Sequence, residues 1–255
     1  MNLSLKTMLQ FLFIPISILL LILLNYGINV LIDSTLVKPY IIPYTSMHPH
    51  IASYVYNGLF DGTIAFFLLF LLLGMLDRKP LSALGFQCKG FGQGFKITLL
   101  FTCGFMFVYI VLGIPAANQQ LFDYSFPFPL TSSNLIQWLI FECFISGFEE
   151  IYFRCFVILL LSKWWRTLFS NLKYLDIAVI LASTFIFAVR HIGITFKPFS
   201  ITYFSPLHLL VVTIMGIFLG VQFIRTKSFF AVYAAHGLLN GCITIFLLVL
   251  NIVLG

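Results

Sequence analysis

The stretch Phe141-Glu-Cys-Phe-Ile-Ser-Gly-Phe-Glu149-Glu150-Ile-Tyr-Phe-Arg154-Cys-Phe-Val-Ile158 sets four charges inside an otherwise apolar run, 135–161. A run of that length is what a helix needs to cross the hydrocarbon of a bilayer. Each charge near the bilayer centre costs about 2.5–3.5 kcal/mol on the insertion scale, so Glu142, Glu149, Glu150 and Arg154 together cost on the order of 10 kcal/mol. The surrounding Leu, Ile, Phe and Val return about 0.3–0.6 kcal/mol each. Alone, the segment would insert poorly. It is therefore expected to face other helices or a water-filled cavity, with its charges paired or neutralised.

The rest of the chain supplies those helices. Of 255 residues 61% are hydrophobic and only 9% charged, with 14 Lys and Arg against 8 Asp and Glu. Soluble chains average about 25% charged residues, so a cytosolic globular enzyme, a disordered chain and a disulfide-built secreted domain are excluded. The five cysteines form no CxxC pair and read as small buried hydrophobes. The fold class that remains is all-α, a polytopic transmembrane helical bundle. Seven runs are long enough to span: 8–32, 55–76, 95–114, 135–161, 175–193, 204–224 and 229–254. An outer loop that dips into the membrane would make eight. The first run is too long for the apolar core of a signal peptide and reads as a retained helix.

Basic residues orient the bundle. Lys6, Arg78, Lys79, Lys89, Lys96, Lys163, Arg166, Lys173, Arg225 and Lys227 fall at the N-terminus and in every second connection. Lys38 and Lys197 alone occupy the alternate ones. That bias puts the N-terminus in the cytoplasm. Clusters of this kind between apolar runs suit membrane orientation and leave no case for nucleic acid. The two longest outer loops carry Pro39, Pro43 and Pro49, and Pro115, Pro127 and Pro129. They are expected to be irregular connectors, the first lying along the interface.

Spacing arranges the buried charges. Glu150 and Arg154 are four apart, stack on one helical face and can pair. Glu149 is turned about 100° away and left without that partner, so it can take a proton from water and later return it. Glu142, seven residues earlier, shares its face and is expected at the mouth of the same cavity. Two further runs bring histidines inward: His191 at the end of one, His236 with Asn240 four residues on in the last. His236 and Asn240 would offer donors to a developing oxyanion, and His191 an imidazole to polarise a water shared with Glu149. His48, His50 and His208 read as packing, and Arg190 as reaching outward to headgroups. One tension follows from the helix ends. His191 sits toward the outer face and His236 toward the inner one, a depth difference on the order of 10 Å.

Glu149-Glu150-Ile-Tyr-Phe-Arg154 matches EExxxR, Phe187-Ala-Val-Arg-His191 matches FxxxH, and His236-Gly-Leu-Leu-Asn240 matches HxxxN. In this order on separate late helices, they resemble the CPBP family of intramembrane proteases (CAAX proteases and bacteriocin-processing enzymes, also called Abi proteins). The resemblance covers roughly 80–250 and includes Pro80-Leu-Ser-Ala-Leu-Gly-Phe86, similar to the short cytoplasmic stretch before the family core. It divides the chain into N-terminal helices, 1–79, and a protease-like core, 80–255. It implies a multi-pass protein of a bacterial cell membrane that hydrolyses a peptide bond near the bilayer, in a lipidated C-terminus or a leader peptide. Glu149 and His191 would activate water, His236 and Asn240 would hold the oxyanion, and Glu150, Arg154 and Phe187 would support them. The family's metalloprotease label leaves zinc open, with Glu149, His191 and His236 as the candidate ligands. The absence of HExxH and the placing of Asn240 beside His236 favour a mechanism without an ion. A non-catalytic immunity or scaffold protein of the same fold is the alternative. A proton-coupled transporter is a third reading, opposed by the lack of paired broken helices with internal symmetry.

Overall fold

The computed structural model describes residues 5–121, 124–169, 171–196 and 199–254, and Lys197 of the basic count lies outside them. The elements follow the chain as α1 (Leu5–Ile32), α2 (Pro49–Leu69), α3 (Phe91–Asn118), α4 (Ser132–Ile140), α5 (Leu159–Trp165), α6 (Leu172–Arg190), β1 (Gly193–Phe196), β2 (Phe199–Tyr203), α7 (Pro206–Thr226) and α8 (Phe229–Leu254). Six helical stretches are long and apolar enough to cross a membrane: Leu12–Tyr44, Pro49–Met75, Phe91–Asn118, Leu172–Arg190, Pro206–Thr226 and Phe229–Leu254. The seventh pass is the charged segment itself, and the protein is an integral, multi-pass helical bundle.

Local chemistry starts several of these helices where they begin. The hydroxyl of Thr131 accepts from the Asn134 amide at 3.3 Å, Asn171 Oδ1 from Lys173 N at 2.8 Å, and Ser205 Oγ from His208 N at 3.3 Å. Each satisfies one of the orphan donors of a first helical turn. Pro49 and Pro206 occupy first turns, where the missing N–H costs nothing. This explains why α2 starts at Pro49 rather than in the middle fifties, where apolarity alone places it.

The charged segment is helical throughout but not uniformly wound. After α4 the chain opens into a wide π turn, Phe141–Ile145, and tightens into a 3-10 turn, Ser146–Phe148. It then widens again over Ile151–Ile158 before α5. Wide turns inside helices commonly accompany functional sites. Two pairs of small residues four apart let neighbours close on this irregular stretch: Gly58 and Gly62 on α2, Gly237 and Gly241 on α8. A Cβ at Gly62 would stand 2.7 Å from Phe148 Cβ, and one at Gly237 only 2.0 Å from the Cys143 carbonyl oxygen. Such close backbone approach is how helices associate where no hydrophobic effect separates protein from lipid.

Behind the charges lies a solid core that includes Phe153, Phe156, Trp165, Phe187, Leu219 and Phe223, all essentially buried. The first helix is tied to it: Tyr152 Oη donates to the Leu21 carbonyl at 2.6 Å and Trp165 Nε1 to Ser17 Oγ at 3.0 Å. The loop expected as irregular over 33–54 instead continues helically through Asp33–Ile41 and Ile42–Tyr44, with Pro39 and Pro43 inside the turns. A wide turn tolerates Pro39 because its carbonyls seek donors further along the chain. The second proline-rich connection is shorter than expected: α3 runs through Pro115 to Asn118, leaving Pro127 and Pro129 in irregular chain. No eighth pass is present among the described residues. The outer connection after His191 is a two-stranded antiparallel hairpin with a bulge between Gly193 and Ile194.

Because the Gly237 contact is with backbone, it cannot be relieved by a rotamer change. Gly237→Ala is expected to cost at least about 1–3 kcal/mol, read as a lowered unfolding midpoint in detergent. Gly92→Ala, where an added Cβ meets nothing within 4 Å, is expected to leave the midpoint unchanged or raise it slightly.

Candidate active site

At the floor of the site Glu150 and Arg154, both with no solvent exposure, form an ion pair with Arg154 Nε 2.8 Å from Glu150 Oε2. The four-residue spacing survives the wide turn in which Arg154 lies. The guanidinium also donates from Nη1 to Ser183 Oγ at 2.8 Å, and Ser183 passes its own hydrogen to the Phe153 carbonyl at 2.7 Å. Its carbon lies 5.0 Å from the centre of the Phe187 ring, a cation–π contact. The other oxygen of Glu150 is 2.8 Å from His236 Nδ1. A carboxylate bound to arginine can only accept, so Nδ1 carries a hydrogen and Nε2 is the ring atom left for the chamber.

His191 is held by the same logic. Its Nδ1 lies 2.8 Å from the Phe187 carbonyl, which can only accept, so here too Nε2 is left over. Phe187 stands between the two histidines. Its ring meets His191 edge-on at 4.6 Å and 71°, and His236 at 6.1 Å and 83°. The expected depth mismatch is thereby closed. α6 ends at Arg190 with His191 as its last capping residue. α8 starts already inside the protein: Ser228 is fully buried and donates to the Gln87 carbonyl at 2.6 Å, while Phe229 N donates to the Gly85 carbonyl at 2.7 Å. The stretch 81–88 covers the start of the last helix and buries its first turn within the protein.

Asn240 Nδ2 donates to Glu142 Oε2 at 2.9 Å and, more weakly, to Ser146 Oγ at 3.3 Å. Glu142 is thus inside the cluster, where it fixes the carboxamide. Glu149 is half-buried and, among the described residues, makes no hydrogen bond or ion pair. It lies within electrostatic reach of His236, Arg190, Glu150 and Arg154. The residues singled out from the sequence are therefore gathered in one cluster, with Glu149 the carboxylate left unengaged.

Several residues at the chamber were not foreseen. Arg190 does not reach outward: it donates to Asn29 Oδ1 and lies 3.9 Å from Asp61 Oδ2, because α1 and α2 offer it partners nearer than the headgroups. Tyr26 Oη lies 2.9 Å and 2.7 Å from the Val189 and Ile192 carbonyls, covering the open end of α6 on either side of His191. The His208 ring is 5.4 Å from that of His191 and 5.9 Å from that of Tyr203, so it borders the site rather than only packing. Tyr54 sits within reach of Glu142, Glu149 and Arg190. Asp61 alone had a legible signal, an ionisable residue inside the apolar run 55–76.

Residues 131–242 match the family described as type II CAAX prenyl endopeptidase Rce1-like. This stretch is an Rce1-like domain of the CPBP family. It opens at the Thr131 cap of α4 and closes two residues beyond Asn240, so all three motifs fall within it. The description names an endopeptidase, which supports a peptidase class for the matched residues. No curated protein and no solved structure matches the chain. In the Rce1-like domain Glu149, His191 and His236 do not fit an ion as they stand. No three His, Cys, Asp or Glu side chains come together as a ligand set among the described residues.

The ion pair at the floor of the Rce1-like domain has no solvent to fall back on. Arg154→Met is expected to cost about 3–5 kcal/mol by leaving Glu150 charged and buried. Combining it with Glu150→Gln should return part of that loss in detergent unfolding.

Proposed function

We propose that the protein is an intramembrane endopeptidase that hydrolyses a peptide bond presented near the bilayer, as in a lipidated C-terminus or a leader peptide. The observation that carries the reading is Glu149. It is a carboxylate without a bonded partner among the described residues, within electrostatic reach of His236, and Phe187 joins His236 to His191, so that both histidines have Nδ1 already committed. An unpaired charge at membrane depth is costly unless it is used.

In this reading Glu149 takes a proton from a water that also donates to His191 Nε2. The resulting hydroxide attacks the carbonyl carbon of the scissile amide. The electron pair of the carbonyl moves to oxygen, and that oxyanion accepts from the Nε2–H of His236, which in this reading is a doubly protonated imidazolium balanced by Glu150, and from Asn240 Nδ2–H. The hydrogen of Asn240 that it takes is the one on the longer bond to Ser146. Collapse of the intermediate breaks the C–N bond, and the proton held by Glu149 passes to the leaving amine. Glu150, Arg154 and Phe187 keep His236 in place throughout, and Glu142 keeps Asn240.

Glu149→Gln is expected to fold normally and to lose about 10²–10⁴-fold in peptide hydrolysis. Membrane peptides compared by mass spectrometry with and without the protein supply the assay. Persistence of the cellular phenotype in a folded Glu149→Gln variant would leave the non-catalytic reading standing instead. Asn240→Ala should lower turnover by about 10²–10³-fold with little change in substrate affinity. Chelators are expected to leave hydrolysis unchanged. Stoichiometric zinc lost together with activity would assign water activation to an ion.

A further inference from the structure

The cluster is fully buried toward one end of the bundle and bordered by exposed side chains toward the other, and the two ends can be assigned to sides of the membrane. Toward the ends of the helices that carry Lys163, Arg166, Lys173, Arg225 and Lys227, the site is floored by Glu150 and Arg154, both 0% exposed. Below them Phe153, Phe156, Leu219 and Phe223 are packed without exposure beyond 1%. That end is a solid plug. Toward the opposite ends the cluster is bordered by polar side chains that are partly or well exposed. His191 follows the last residue of α6, His208 lies in the first turn of α7, and Tyr203 ends β2. Tyr54, in the second turn of α2, packs edge-on against Phe141, next to Glu142, at 5.5 Å. Tyr203 is 51% exposed and Tyr54 47%. Basic residues concentrate on the cytoplasmic side of membrane proteins, and here they mark the plugged end.

We infer that the chamber opens to the non-cytoplasmic face, so its substrate is a peptide presented on the outer side of the membrane, such as a leader exposed during or after export. A prenylated C-terminus in the cytoplasm would meet the plug. The inference rests on the hydrolytic reading for its substrate, but the side of opening stands on the fold and charge distribution alone.

Two measurements separate these claims. In intact cells producing the Tyr203→Cys variant, a membrane-impermeant maleimide is expected to label residue 203. The native Cys88, exposed within the plugged-end connection 77–90, should be labelled only after permeabilisation, with mass spectrometry locating the adducts. Labelling of Cys88 from outside, or protection of residue 203 until permeabilisation, overturns the assigned side. In sealed vesicles, an impermeant quenched peptide carrying a sequence cleaved in the mass-spectrometric comparison should be hydrolysed by right-side-out membranes. Inverted membranes should hydrolyse it only once opened with detergent. Hydrolysis by inverted vesicles alone overturns the inference even where labelling agrees. Hydrolysis by neither, before or after detergent, refutes the enzymatic reading and with it the substrate class, and leaves the side of opening to the labelling result.

Discussion

A carboxylate and a guanidinium with no access to water, Glu150 and Arg154, must satisfy each other, and the rest of the structure is arranged so that they can. Such a pair does not stabilise a fold cheaply, since desolvation can exceed the Coulombic gain. What it provides is specificity. Arg154 reaches Ser183 on α6 and the face of Phe187, and Glu150 reaches His236 on α8. Three passes of the bundle are thereby referenced to one charge pair. Any rotation of α6 or α8 breaks a charge-assisted contact in a low-dielectric interior, where such contacts are strongest.

Much of this was readable from the chain because it depends on composition and short spacings. Apolar length located the passes, and the rising cost of four charges in one run singled out 135–161 before any geometry was known. The four-residue separation of Glu150 and Arg154 kept its ion pair, although it lies where the helix is overwide. An i,i+4 pair tolerates some unwinding when the two side chains attract. The histidine depths were misjudged because apolar length marks where a helix could start, not where a neighbour buries its first turn. Stretch 81–88 supplies that burial, and its effect on α8 is tertiary.

What stayed hidden was mostly long-range. Arg190 near the end of an apolar run has an obvious local fate, the headgroups, and only Asn29 and Asp61 on distant helices change it. The wide and tight turns around Glu149 leave no periodic trace, since a pattern search presumes constant winding. Helices α1 and α2 lie before the Rce1-like match at 131–242, yet Tyr26 covers the carbonyls around His191 and Gly62 admits Phe148. The parts of the chain outside the matched residues complete the site.

The link between the last two helices has a consequence of its own. α7 ends at Thr226 and α8 begins at Phe229, so only Lys227 and Ser228 separate them. The angular phase of His236 is therefore metered by a two-residue hinge clamped under Gln87 and Gly85. Adding or deleting a single residue there would turn the imidazole by about 100° and point it away from Glu150. The geometry of the site therefore depends on the length of this one short junction.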